Sequence, residues 1–326
     1  MPSIESHDLF PAGMQAGNRF YQPPTPPLGP LEEDIVEKYI SIILSLYAEL
    51  ASFRDLDPAP QVNAAFGKLV GLCAEMLKEE VAEKIVNDHR IVKITAHLRE
   101  ICSQGECKLE AYWATKLSSE KDVNAELLKF PYYTNYVDLT RMEIYAMISM
   151  LPTMPRKFAF IGSGPLPLTS LCLADILEKE LHSDSKVPLL VHNIDRDASA
   201  IELSSSLCQK LGKRARSMTF QCTEAMEDQK KQDLTQFDVV YLAALVGANK
   251  SQKTEIIADV AGRMRAGALL VMRSAHSLRS LLYPVVDPGT DLEKGLLETL
   301  LVSHPYNHIV NSLVISRVKA PIDGTI

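Results

Sequence analysis

The chain is short of what nucleic-acid binders, membrane proteins and secreted scaffolds require. Its 34 lysines and arginines are outnumbered by 41 aspartates and glutamates, for a net charge of −7. The cation density on which phosphate-backbone binding depends is therefore missing. The one compact basic run, GKRAR at 212–216, is short and reads as a solvated strand entrance. No apolar run reaches the roughly 18 residues of a membrane span. The first residues, MPSIESHDLFPAG, lack the basic-then-apolar order of a secretory signal. The six cysteines include no CxxC pair, and most lie within apolar patterns. They read as reduced core thiols, not as a disulfide frame or a zinc site. His304 and His308 have i, i+4 spacing, but HPYNH contains a proline and lies between apolar runs, which argues against a metal pair. These absences predict a cytoplasmic protein with small-molecule partners and no metal, nucleic acid or membrane. The oligomeric state is left open, with a homodimer as the expectation.

What is present divides the 326 residues into three parts. Residues 1–30 end in QPPTPPLGP, whose proline density forbids helix and favours a disordered leader. Residues 31–150 carry a helical period. In LEEDIVEKYISIILSLYAELASF, apolar residues at 35, 36, 39, 40, 43, 46, 47 and 50 form the stripe of an amphipathic helix. Acidic residues crowd its first turn, which suits the helix dipole. Further helices are expected over about 62–76, 79–87, 89–102 and 107–118, with a last one after the aromatic-rich FPYYTNY. This part reads as an α-helical lid or substrate domain.

Residues 151–326 change character. Strand-like runs at 157–162, 188–195, 217–222, 237–245 and 267–274 alternate with helical segments at about 166–181, 197–211, 224–233 and 251–265. Continuous apolar strands alternating with helices predict an α/β domain with a parallel sheet covered on both faces. GLLETLLVSHP and HIVNSLVISRV then form an antiparallel hairpin closing the sheet edge. Five parallel units and a terminal antiparallel hairpin are the Rossmann-like layout of class I S-adenosylmethionine-dependent enzymes.

In such a sheet, ligands bind outside the carboxyl ends of the strands. The expected ends there are Gly162–Pro165, Asp195, Gln221–Glu224, Ala243–Val246 and Arg273–His276. The first loop reads G-S-G-P-L-P, so Pro167 stands where a dinucleotide fingerprint has its third glycine. Asp195 is placed to accept both hydroxyls of a ribose. It lies 31 residues beyond Gly164, more than the roughly 20 of a dinucleotide fold. Loop and acid together favour S-adenosylmethionine over NAD.

These residues carry a resemblance. FAFIGSGPLPLTS, the block from Phe237 to Gly247, MRSAHS, LLYPVVDP, FPYYTNYVDLT and NSLVISRV together resemble nicotianamine synthases, from about residue 100 to the C-terminus. The divergent, proline-rich front end points to a eukaryotic, fungus-like member. The resemblance implies transfer of the 3-amino-3-carboxypropyl arm of S-adenosylmethionine, as substrate, to an amine. Methylthioadenosine leaves, and a metal-chelating product is built.

The resemblance also implies site residues. Glu110 matches the family's proton acceptor, and its neighbours Leu109, Ala111 and Trp113 are apolar enough to raise its pKa by desolvation. Tyr136, with Tyr133 and Tyr132 as alternatives, matches the active-site tyrosine. Gly162, Ser163, Gly164, Pro165, Leu166, Asp195, Thr223, Glu224, Ala243, Ala244 and Leu245 are expected at the cofactor. Arg273 is expected to hold a substrate carboxylate, with His276 and Tyr283 beside it. Arg141 and Glu143 are expected on a solvated or interdomain face. Two departures stand out: Thr223-Glu224 where plant members usually have Thr-Asp, and Ser277 where they have glycine. The competing readings are an opine-metallophore-type transferase with another amino-acid acceptor, a small-molecule N-methyltransferase, and a non-enzymatic binding protein.

Overall fold

The computed structural model describes residues 30–180, 187–223, 233–244, 246, 250–292 and 295–320. Glu224, Leu245, the proline-rich front end and nearly all of the helix expected over 224–233 lie outside them.

Six helices come first: α1 Pro30–Ser52, α2 Pro60–Ala74, α3 Glu79–Asn87, α4 His89–Ser119, α5 Val123–Leu127 and α6 Tyr133–Met150. The apolar stripe of α1 buries Val36, Ile40, Ile43, Leu46 and Leu50. They pack against α2–α4, against Leu278 and Leu281 of a 3-10 turn, Ser277–Leu281, and against Leu282 just after it.

The expected break between 102 and 107 does not occur, because α4 runs unbroken for 31 residues. Gly105, inside that span, is a packing residue. A Cβ there would overlap the ring of Phe66 on α2. Glycine within a helix costs up to about 1 kcal/mol relative to alanine, and here it admits a ring that alanine would displace.

The second half alternates as expected: β1 Lys157–Ile161, α7 Leu168–Asp175, β2 Leu190–Asp195, α8 Ala198–Leu211, β3 Met218–Cys222, β4 Val239–Leu242, α9 Lys250–Gly262, β5 Leu269–Ser274, β6 Leu297–Ser303 and β7 Ser312–Val318. The sheet order is β3-β2-β1-β4-β5-β7-β6. The first five strands are parallel, and β7 is antiparallel to both β5 and β6.

Every residue of β4 and β5 is buried, as expected for strands covered on both faces. One face packs against α6, α7, α8 and the end of α4, through Trp113, Leu117 and Ile144. The other packs against α9. The order reverses at β1, which pairs with both β2 and β4 and so opens the crevice where a doubly wound sheet takes its ligand. The second half of α4 lies over that crevice. No helix among the described residues is long and apolar enough to cross a membrane.

Candidate active site

Between α4, α6 and the carboxyl ends of the strands lies a cavity of about 1270 Å³. Drug-sized pockets run from about 300 to 1,000 Å³, so this one has room for a nucleoside and an acceptor together. Its floor is the loop after β1. Gly162 and Gly164 have φ of 79° and 67°, the left-handed region that glycine enters without strain. A Cβ on Gly162 would lie 2.5 Å from Val246 Cγ2, and one on Gly164 would lie 2.7 Å from Glu110 Oε2. The loop is thus glycine for shape as well as for conformation.

Asp195, at the end of β2, is tied to that loop. Gly164 N–H donates to its Oδ2 at 2.8 Å, and Asp197 N–H to its Oδ1 at 3.0 Å. Each oxygen keeps acceptor capacity for a hydroxyl from the cavity. Thr223, Ala243 and Ala244 line the neighbouring wall. Thr223 N–H donates to Asp195 O at 2.9 Å, and Lys253 Nζ to Ala244 O at 2.7 Å, which fixes both strand ends. Ser163 Oγ is buried with no hydrogen-bond partner among the described residues and also lines the cavity.

The roof is acidic. Glu106 and Glu110 lie one helical turn apart on α4 and both face inward. Tyr136 O–H donates to Glu110 Oε1 at 2.8 Å, and Tyr283 O–H to Glu106 Oε2 at 2.9 Å. Burial, then the charge of Glu106, holds the Glu110 carboxyl well above the usual carboxylate range; the Tyr136 hydrogen bond and the Arg273 charge only partly offset this. Glu106 is raised by burial against the opposing Tyr283 hydrogen bond and Arg273 charge. Burial likewise raises both phenols well above their ordinary range. Tyr136 and Tyr283 are therefore neutral donors at physiological pH.

Arg273 lines the cavity, yet much of its guanidinium is engaged inside the protein. Its Nε and Nη2 donate to Glu143 at 2.9 and 3.2 Å, and Nη2 also donates to Thr169 Oγ1 at 2.8 Å. Glu143, expected on a solvated or interdomain face, is fully buried against Arg273 of β5. The face of α6 that carries it is pressed onto α7, and only a bidentate arginine makes that burial tolerable. Burial works against the charge on Arg273, but Glu143 outweighs it and raises the pKa.

Of the residues expected at the site, Glu110, Tyr136, Gly162, Ser163, Gly164, Leu166, Asp195, Thr223, Ala243, Ala244, Arg273 and Tyr283 share the cavity wall. Four described residues stand off it. Pro165, within the loop, is buried and does not line the cavity. Tyr132 packs against the Phe130 ring, and the Tyr133 hydroxyl accepts from Arg214 Nη2 at 3.2 Å. His276 precedes the 3-10 turn with its ring stacked on His304 at 4.2 Å, which turns it away from the wall. Glu106 and Asn311 were not anticipated. The i, i+4 spacing of Glu106 and Glu110 in GECKLE was the available signal for the first.

Comparison with known proteins places this geometry. A family model described as "Nicotianamine synthase protein" matches residues 31–322. Nicotianamine synthase 2 of Arabidopsis thaliana is 36% identical over 295 residues, covering 90% of this chain and 87% of the relative. Nicotianamine synthase of Solanum lycopersicum is 36% identical over 293 residues, covering 90% and 86%. These relatives are plant proteins, and the fungus-like character expected from the front end is not borne out. Among solved structures, a mutant of MtNAS in complex with S-adenosylmethionine superposes with a TM-score of 0.70 at 19% identity, over 86% of this chain and 98% of that one. MtNAS in complex with MTA and tNA gives 0.68 at 20% identity, over 90% and 100%. At these identities the superpositions show a shared fold.

Proposed function

The chain belongs to the nicotianamine synthase family, and on that footing we propose that it transfers 3-amino-3-carboxypropyl groups from S-adenosylmethionine to an amine. Methylthioadenosine is released, and the product is nicotianamine. In this reading the nucleoside lies on the Gly162–Gly164 loop, with its ribose hydroxyls on Asp195. All three carbons on a sulfonium are electrophilic, so the site selects the reaction by which carbon it presents to the nucleophile. The amine lone pair attacks the arm carbon bonded to sulfur, and a C–N bond forms as the C–S bond breaks. The C–S electron pair neutralises the sulfonium, and the proton shed by the amine goes to Glu110.

The observation that carries this reading is the meeting of Glu110 with Gly164, where a Cβ would lie 2.7 Å from the carboxylate. A base on the helical roof is thereby held directly above the loop that carries the sulfonium compound. Its raised pKa makes the ionised carboxylate a stronger proton acceptor. Tyr136 orients the carboxylate from the side. Glu106 adds a second negative group facing a substrate that carries both sulfonium and ammonium charge. The six cysteines are free thiols and fit the reducing cytoplasm as the compartment.

The test is Glu110→Gln. It keeps the shape and the contact with Tyr136 but cannot take a proton. Saturable S-adenosylmethionine binding, weakened only by the lost charge, with loss of methylthioadenosine release supports the role, whereas wild-type turnover removes it.

A further inference from the structure

Asn311 stands immediately before β7 and lines the cavity. It is only 7% exposed, and its side-chain Nδ2 is buried without a hydrogen-bond partner among the described residues. A buried amide left unpaired is costly unless a ligand pairs with it. Its backbone is held on both sides: Val310 N–H donates to Asn135 Oδ1 at 3.2 Å, and Ser312 pairs with Ser274 across the sheet. The side chain is thus positioned by a rigid frame and then given nothing to bind.

The register supplies its neighbour. Leu313 lies opposite Arg273 in the antiparallel pair. Asn311, two residues earlier, continues the same face. Diagonal positions of this kind are about 7–8 Å apart, within reach of long side chains. On Arg273, Nε and Nη2 are taken by Glu143 and Thr169, and Nη1 has no partner among the described residues. Both side chains line the same cavity, Asn311 with a buried unpaired donor and Arg273 with its Nη1 edge. The Arg273 guanidinium also lies 5.9 Å from the ring centroid of Tyr136, the residue that holds Glu110.

We infer that Asn311 and the Nη1 edge of Arg273 form a carboxylate-binding subsite that receives the α-carboxylate of an aminocarboxypropyl chain. This rests on the transfer reading above. A carboxylate held there fixes the chain that carries it: an acceptor's attacking amine is directed towards Glu110, and a donor's arm is held in line for attack. The chain is either the donor's own arm or the acceptor's, and the same chemistry serves both.

The test uses Asn311→Asp, which keeps volume but turns a donor into an anion, and Asn311→Ala, which removes volume without adding charge. S-adenosylmethionine and methylthioadenosine, which lacks the arm, are the binding probes, and methylthioadenosine release from S-adenosylmethionine alone is the rate. The subsite predicts that turnover falls about 10- to 100-fold in Asn311→Ala and further in Asn311→Asp. A packing role predicts the opposite ranking. If the subsite grips the donor arm, S-adenosylmethionine affinity falls while methylthioadenosine affinity holds. If it grips the acceptor, both affinities hold and only turnover falls. Parallel loss of both affinities, or turnover in Asn311→Asp within twofold of wild type, overturns the subsite alone. A wild-type protein that releases no methylthioadenosine overturns the transfer reading, and the subsite with it.

Discussion

The carboxylate of Glu110 sits so close above Gly164 that a Cβ on the glycine would lie 2.7 Å from Oε2. One contact thus joins the helical roof to the sheet floor and sets the height of the cavity between them. Gly164→Ala is expected to push Glu110 out of line and to strain a φ of 67°. Displacement by an ångström costs on the order of 100-fold in rate. Steady-state methylthioadenosine release in Gly164→Ala checks this, and a rate within threefold of wild type contradicts it.

Glu110→Gln is expected to lower turnover by about 10²–10⁴-fold, the usual contribution of a general base. The same substitution has a consequence for stability. Because the folded-state pKa of Glu110 is raised, the folded protein holds a proton that the unfolded chain has released. Stability from this group is complete below the ordinary carboxylate pKa and is lost as pH rises through the raised value. Glu110→Gln should therefore melt higher than wild type at pH 8, with the gap closing towards pH 4. Equal melting curves at both pH values argue against a raised Glu110.

Two raised carboxylates facing a cationic substrate also link binding to protons. Glu106 and Glu110 must ionise to offer their full charge to a sulfonium and an ammonium group. The affinity for S-adenosylmethionine should fall as pH is lowered through their raised range, and binding should release protons. Calorimetry in buffers of different ionisation enthalpy measures this release directly. Pairing Glu106→Gln with Glu110→Gln should abolish it.

The buried pair of Arg273 and Glu143 makes a sharper energetic claim. Removing one partner from such a pair costs about 3–5 kcal/mol, because the other charge is left buried and uncompensated. Glu143→Leu is expected to destabilise by about that amount in urea melts. The double variant Arg273→Met with Glu143→Leu should recover much of it while losing transfer activity. A double variant as unstable as the sum of the singles would contradict the pairing argument.

Ser277 has φ of 57°, the one positive φ outside glycine among the described residues, at the position where plant members of the family usually have glycine. Left-handed backbone costs a residue with a Cβ about 1–2 kcal/mol, partly offset by glycine's greater freedom in the unfolded chain. Ser277→Gly should stabilise by about 0.5–1 kcal/mol with little change in turnover, which thermal melts and rate measurements can check together.

The α/β half was legible because strands buried on both faces must be apolar throughout, as Val239–Leu242 and Leu269–Ser274 nearly are. Asp195 and the Gly162–Gly164 loop were legible because turn chemistry is local. What escaped was set by distant partners. The continuity of the helix through Gly105 was not legible, because the reason for that glycine, the ring of Phe66, belongs to another helix. For Glu143 the choice between a solvated and an interdomain face stayed open because the arginine that tolerates its burial lies 130 residues away. His276 was expected at the site because it lies in the family-like block MRSAHS, whereas its ring turns to His304. The choice among Tyr132, Tyr133 and Tyr136 needed helix phase: the cavity takes Tyr136, and the other two rings pack elsewhere.

Mass spectrometry of the products formed from S-adenosylmethionine alone bears most directly on the whole account. Methylthioadenosine together with nicotianamine, and their loss in Glu110→Gln, is the predicted result. Release of S-adenosylhomocysteine with a methylated acceptor, or no product without an added amino acid, would contradict it.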